Sequence, residues 1–312
     1  ITDVLRLKKI GNDIMEVIGG RPIHPVNVRL GGFYRAPDRE VIAALAEPLA
    51  WAHRVAVDLV RWVAGFEFPD LRVDHELVSL RGTDRYPVLG GRIVSDRGLD
   101  IDVSAFDTEF SEAHVAHSTA LHGRRRTGDT YLTGPLARWA NNRDLVPVEV
   151  DALADELGVP AVERNPFRSI VIRGLEVLIA VIEAEEIVAA YSEPDTASVP
   201  VTPAAGVGWG ATEAPRGVLV HRYETDAAGT ILDARIIPPT AQNQPAIEAD
   251  VRRVVDDHLA RHRLDDSPES DHELQHRCEM TVRNHDPCIS CATHFLTVDV
   301  RVAPSTEHEV GR

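Results

Sequence analysis

The stretch "DPCISCATH" sets two thiols and an imidazole at three-residue steps: Cys288, Cys291 and His294. Residues three apart lie on one face of a turn or helix start, so both sulfurs can meet one metal ion. The imidazole extends the same face. Thiolates are soft donors suited to zinc, nickel or iron–sulfur centres. A zinc ribbon needs a second pair of ligands, which Cys278 alone does not supply. A thioredoxin-like redox pair wants a βα unit around it, and the flanking sequence offers none. From the residues alone, a metal site and a pair of structural cysteines are both open.

Three further stretches carry residues of chemical interest. "HELQH" matches H-E-x-x-H, in which His272 and His276 would hold zinc and Glu273 would act as base. Its surroundings are polar where such a helix is usually buried, and 14 histidines make a chance match easy. "GVGWGA" fits G-x-G-x-x-A, but it follows "PVTPAA" rather than a strand and precedes "TEAPRG" rather than a helix. A dinucleotide-binding turn needs both contexts, so these glycines read as allowing close backbone packing. Arg216 sits between Pro215 and Gly217. A lone arginine there is commonly a surface or ion-pair residue, yet a restricted backbone would also aim its guanidinium in a fixed direction.

The elements that must position these groups show in the hydrophobic pattern. Residues 38–64 repeat apolar positions near a 3.6 period, with Pro48 expected to kink or divide the helix. Residues 72–106 break into short alternating segments, read as antiparallel strands and turns. The tail of "FSEAHVAHSTALHGRRRTGD" reads as a solvated loop, and "TGPLARWANN" and "VERNPFRS" as further loops. Asn165-Pro166 opens the strongest helix, 166–191. Residues 192–215, rich in Pro, Gly, Ser and Thr, read as extended or looped. A hairpin follows on either side of "DAAG", and residues 246–262 read as helix. The mixture gives an α+β fold, mainly helical with small antiparallel sheets and a β-hairpin before the candidate site.

Composition narrows the function. The chain of 312 residues carries a net charge of −16, a field that repels phosphate backbones and argues against nucleic acid or an anionic membrane surface. No apolar run reaches the length of a membrane span. Three cysteines make no disulfide framework and favour a reducing compartment, hence the cytoplasm.

Taken together, these pieces resemble the large (alpha) subunit of nickel–iron hydrogenases. "DPCISCATH" looks like that family's C-terminal nickel motif. "EAPRG" with its hairpin and "IIPPTAQN" is similar to the segment beside the metals, and "GGRPIHPVNVRLGG" resembles a motif further upstream. "GPLAR" and "NPFRSIVIRGLE" fall between them in the family's order, so the likeness covers residues 1–294. "SCATH" is closest to the soluble NAD(P)-linked branch.

The resemblance implies a role for each matched position. Cys288 would be a terminal thiolate on nickel, and Cys291 would bridge nickel and an iron carrying cyanide and carbon monoxide. His294 would bind magnesium or iron. Arg216 would lie over the open coordination position with Asp286 nearby, and Pro238 and Thr240 would contact the iron's diatomic ligands. Electrons would leave through a small iron–sulfur subunit to flavin- and NAD(P)-linked subunits. Nickel-loading proteins and a maturation endopeptidase would act on the chain, the latter removing residues 295–312. The family's other C-x-x-C, in an Arg-rich N-terminal motif with a proton-exit glutamate, has no counterpart before Cys278. The chain begins at Ile1 rather than methionine, which is read as a missing first part. The alternative is a truncated or non-catalytic relative, such as the quinone-binding subunit of respiratory complex I. That relative is expected to lack the nickel cysteines, and both are here.

Overall fold

The computed structural model describes residues 1–261 and 268–287. They fall into two compact units, 1–246 and 247–312, treated separately below. The first unit opens with helix α1 (Thr2–Gly19), closed by Gly20 in the left-handed region at φ 82°. A small hairpin follows, β1 (Val28–Arg29) and β2 (Gly32–Phe33). The 38–64 periodicity resolves into α2 (Arg39–Ala43) and α3 (Ala46–Ala64). The division falls at Ala44–Leu45, so Pro48 sits in the first turn of α3, where its missing N–H costs nothing.

Strands β3 (Glu76–Arg81), β4 (Arg92–Ser95) and β5 (Asp100–Ile101) are the antiparallel segments expected over 72–106. A short helix α4 (Phe106–Glu109) leads into β6 (Phe110–Ala113), which pairs with β7 (His122–Arg125). The expected solvated tail is therefore a strand at its centre, with His122 fully buried. Strand β8 (Tyr131–Leu132) pairs parallel to β3, giving the order β5-β4-β3-β8.

Helices α5 (Pro135–Asn142), α6 (Val148–Glu156) and α7 (Ser169–Ala190) follow. The α5 stretch reads as a loop in sequence because it is short and framed by Gly-Pro and Asn-Asn. Pro135 at its first position is a helix-start signal. Before α7, the Asn165 side chain accepts from the Phe167 N–H at 3.0 Å, capping the turn that Pro166 opens. Val171, Ile172, Leu175 and Leu178 of α7 are buried against Val60 and Val63 of α3 and Leu136 and Trp139 of α5. This helical layer is the larger core.

The second core lies under a three-stranded sheet of β9 (Gly206–Ala214), β10 (Gly217–Thr225) and β11 (Ile231–Ile237), with β10 in the centre. The β10–β11 hairpin is the one expected, its turn held by Asp226 Oδ1 accepting from Ala228 and Thr230 N–H at 2.8 Å each. Of the two readings of residues 192–215, extended or looped, "GVGWGATEA" takes the extended one, as strand β9. Nothing lies within 4 Å of where a Cβ would stand on Gly206, Gly208 or Gly210, so close packing is not what these glycines serve. In register, Gly208 and Gly210 stand opposite Tyr223 and His221. Val218, Val220 and Ile237 bury this sheet against Val78, Leu80, Phe106, Phe110 and Tyr131.

Helix α8 (Pro239–Arg261) begins seven residues before the 246 expected, its first turns belonging to the first unit. Helix α9 (Pro268–Asn284) lies in the second.

Candidate metal centre

Arg216 occupies a two-residue turn, Pro215-Arg216, between β9 and β10, whose ends Ala214 and Gly217 pair with each other. Three successive carbonyls around it are occupied. Arg138 Nη1 donates to the Ala214 carbonyl at 2.8 Å and Arg138 Nη2 to the Pro215 carbonyl at 2.9 Å. Asn243 Nδ2 donates to the Arg216 carbonyl at 3.2 Å. Asn243 is itself fixed, its Oδ1 accepting from Thr133 N–H at 2.8 Å and Thr133 Oγ1 at 3.0 Å.

Two glycines let these segments meet. Gly217 has φ 135°, and a Cβ on it would stand 2.1 Å from Thr133 Oγ1. Gly134 has φ 112°, and a Cβ there would stand 2.8 Å from the Arg216 carbonyl oxygen. Any larger residue at either place would meet strained backbone and a clash together.

The Arg138 side chain, 5% exposed, is the hub of a buried charge cluster. Its Nε and Nη2 donate to the two carboxylate oxygens of Glu176 at 2.6 and 2.8 Å. Its Nη1 reaches Glu213 Oε2 at 2.9 Å. Glu213 Oε1 accepts from the Leu80 N–H at 2.8 Å, and Tyr86 Oη donates to Glu176 Oε1 at 2.8 Å. One cation thus serves two carboxylates. Burial pushes the Glu213 carboxyl up to about 7, with Arg138 pulling it down and Glu176 adding to the rise. Burial also drives the Tyr86 hydroxyl well above its usual range, with Glu176 adding to it.

Pro238 and Thr240, expected to face the iron's ligands, sit where β11 passes into α8. Gln242, two residues on, ties this corner to β10: its Nε2 donates to the Val218 carbonyl at 2.6 Å. The first unit therefore brings "GPLAR", "EAPRG" and "PPTAQN" together around one turn. Sequence reasoning placed Arg216, Pro238 and Thr240 in this region but missed Arg138, Glu176, Glu213 and Asn243. Their partners lie tens of residues away, and the only sequence signal is charge within apolar surroundings.

In the second unit, Asp286 follows α9 at φ 45°, a left-handed conformation, with its N–H bonded to the Arg283 carbonyl at 3.0 Å. Beside it the side chains of His285 and Asp250, 4% and 1% exposed, meet at 2.8 Å between Nε2 and Oδ2. This pair anchors the residues just before the cysteines to α8. Asp250→Ala is expected to loosen that anchor by about 1–3 kcal/mol, the cost of stranding a buried polar partner. Amide exchange at 281–286 reads it, and unchanged protection there would discount the anchor. Cys288, Cys291 and His294 lie outside the described residues, as do 295–312. In α9, His272, Glu273 and His276 are exposed, which gives a zinc hydrolase no enclosed site, and Cys278 is buried.

Comparison with known proteins bears on the whole chain. Residues 158–294 match the family described as nickel-dependent hydrogenase. Sulfhydrogenase 1 subunit alpha of Pyrococcus furiosus is 30% identical over 301 residues, 94% of this chain and 67% of that protein. NAD-reducing hydrogenase HoxS subunit beta of Cupriavidus necator is 40% identical over 91 residues, 29% of this chain and 18% of that one. The fold is similar to an NAD+-reducing NiFe-hydrogenase crystallised in the H2-reduced state. There the TM-score is 0.76 and the identity 23%, covering 94% of this chain and 68% of that chain. The chain belongs to the nickel-dependent hydrogenase family, as a large (alpha) subunit, and its α+β fold is that of the family. It spans about two thirds of the length of these long matches.

Proposed function

We propose that Cys288 and Cys291 hold one side of a nickel–iron centre in this large subunit, with Arg216 over its open position. The donor chemistry supports this, since two thiolates and an imidazole suit nickel and iron. In number the donors are half of a four-thiolate site. Cys278, buried within α9, is not among them, so the other pair is expected from sequence upstream of Ile1. His294 would hold magnesium or iron, and Pro238 and Thr240 would border the iron's cyanide and carbon monoxide.

The carrying observation is the clamped Arg216 turn. Its three carbonyls are bonded from two sides, so the guanidinium leaves a backbone that cannot swing. Hydrogen is a very weak acid, and splitting it requires a positioned proton acceptor beside a Lewis-acidic group. The bound nickel–iron pair supplies the Lewis acid and the redox chemistry. This chain would supply the proton acceptor: a cysteine thiolate, or Arg216 as its neutral guanidine, since the charged guanidinium has no lone pair to take a proton. Asp286, in the turn before Cys288, adds a carboxylate for the onward step.

Electrons then pass to a small iron–sulfur subunit and, through a flavoprotein, to NAD(P) or a similar carrier. The NAD-reducing relatives by name support this branch. Among the described residues no helix is long and apolar enough to cross a membrane. A nickel-loading protein and an endopeptidase that removes residues 295–312 would complete maturation.

The test is metal analysis of the full gene product purified with its partner subunits, coupled to hydrogen-dependent reduction of NAD+ and NADP+. Nickel and iron are expected together, with carrier reduction on hydrogen. Zinc alone, or nickel without hydrogen uptake, would overturn the reading.

A further inference from the structure

We propose that Arg138 is the positioning residue for Arg216, holding the turn that carries it through a fork shared between two carbonyls and two carboxylates. This deepens the reading of Arg216 as the group over the metal site and rests on it. A guanidinium has five N–H donors in a rigid plane. All five of Arg138 are in use: Nε and one of Nη2 on Glu176, the other of Nη2 on the Pro215 carbonyl, and the two of Nη1 on Glu213 and the Ala214 carbonyl.

The arrangement fixes direction as well as distance. Glu176, from α7, grips one edge of the guanidinium with both oxygens, so the plane cannot rotate. The opposite edge then offers N–H groups only where the 214 and 215 carbonyls stand. Glu213 belongs to the strand that ends at Ala214 and closes the ring, tying the strand's end to the cation it already touches. From the other side Asn243 takes the carbonyl of Arg216 itself. No shorter or more flexible cation reproduces this. Lysine has three donors on one atom and cannot span Glu176 and two carbonyls at once.

A cluster whose task was stability alone could use any well-packed apolar set of the same volume, commonly at equal or better stability. What the charged fork adds is a defined orientation for the backbone beside Arg216.

The test uses Arg138→Lys in two settings. In the 312-residue chain, amide exchange at Ala214, Arg216 and Gly217 is expected to accelerate about tenfold or more, the loss of charge-assisted bonds, while β11 amides stay protected. In the assembled hydrogenase, turnover is expected to fall with nickel content and KM for hydrogen kept. The double variant Arg138→Lys/Arg216→Lys should be no slower than Arg216→Lys, because both act through one group. Multiplying losses would overturn the proposal, as would unchanged exchange in the turn. Full activity in Arg216→Lys would defeat the functional reading instead, and the exchange result would still decide whether Arg138 holds the turn. If Arg138→Lys does not fold, Glu176→Gln, which weakens the grip without changing shape, carries the same measurements.

Discussion

Arg216→Lys is expected to lower hydrogen turnover about 10²- to 10³-fold in the assembled enzyme, the loss typical of one preorganised polar group at a reacting centre. Nickel content should stay at the wild-type level. The turn is held through backbone carbonyls, so replacing the side chain leaves its clamp to Arg138 and Asn243 in place. What changes is confined to the head group: a planar fork becomes a point charge with different basicity and reach. Cys288→Ser and Cys291→Ser should behave in the opposite sense, losing nickel outright. A serine hydroxyl is a hard donor that does not ionise near neutral pH, and nickel with iron prefers thiolate. Elemental analysis and hydrogen uptake on the same preparations separate the two classes. Full turnover in Arg216→Lys would remove that residue from the mechanism, and full nickel in either serine variant would move the metal elsewhere.

The contrast between α7 and β9 shows what the sequence could and could not disclose. α7 is long and repeats apolar residues on one face, so its existence and its buried stripe were legible. β9 carries three glycines in alternation, which erases the apolar-polar pattern that marks a strand. It is a strand because β10 offers an edge along which Gly206 to Ala214 pair in unbroken register. α5 was hidden for another reason. Its inward face includes Arg138 and Asn142, polar residues whose burial is satisfied largely by partners distant in sequence, on β3, β9, α7 and the Pro215 turn. A periodicity argument counts such residues as exposed.

The site divided along the same line. Arg216, Pro238, Thr240 and the C-x-x-C are assigned to a site because family resemblance marks them in order along the chain. The Arg138–Glu176–Glu213 cluster was invisible because charge pairing across the fold leaves no local signature.

Glu213→Gln should change the pH dependence of stability in a direction that the cluster's charge count dictates. Arg138 balances one of the two carboxylates, so Glu213 is the surplus negative charge in a dry site, and burial holds it at about 7 against an ordinary 4.5. The folded state therefore binds its proton more tightly than the unfolded chain does. The Glu213 contribution is fully present below about 4.5 and is lost as pH rises through about 7. A gap of that size corresponds to about 3 kcal/mol. Glutamine stays neutral throughout, so the stability of the variant minus that of the wild type should climb by about that amount between pH 4.5 and 8. The variant also gives up the acceptor that Arg138 Nη1 uses, because an amide nitrogen donates where Oε2 accepted. That loss is a constant offset and leaves the slope alone. His53, raised by Glu149 and Glu185 against its burial, loses stability over rising pH as well, but does so equally in both proteins and cancels in the difference. All four tryptophans lie in the first unit, so urea unfolding followed by tryptophan fluorescence reports the part of the chain that holds Glu213. A difference that stays flat from pH 5 to 8 would mean that Glu213 ionises as an exposed carboxylate does. Arg138 would then carry both carboxylates without strain, and the cluster would have no surplus charge to titrate.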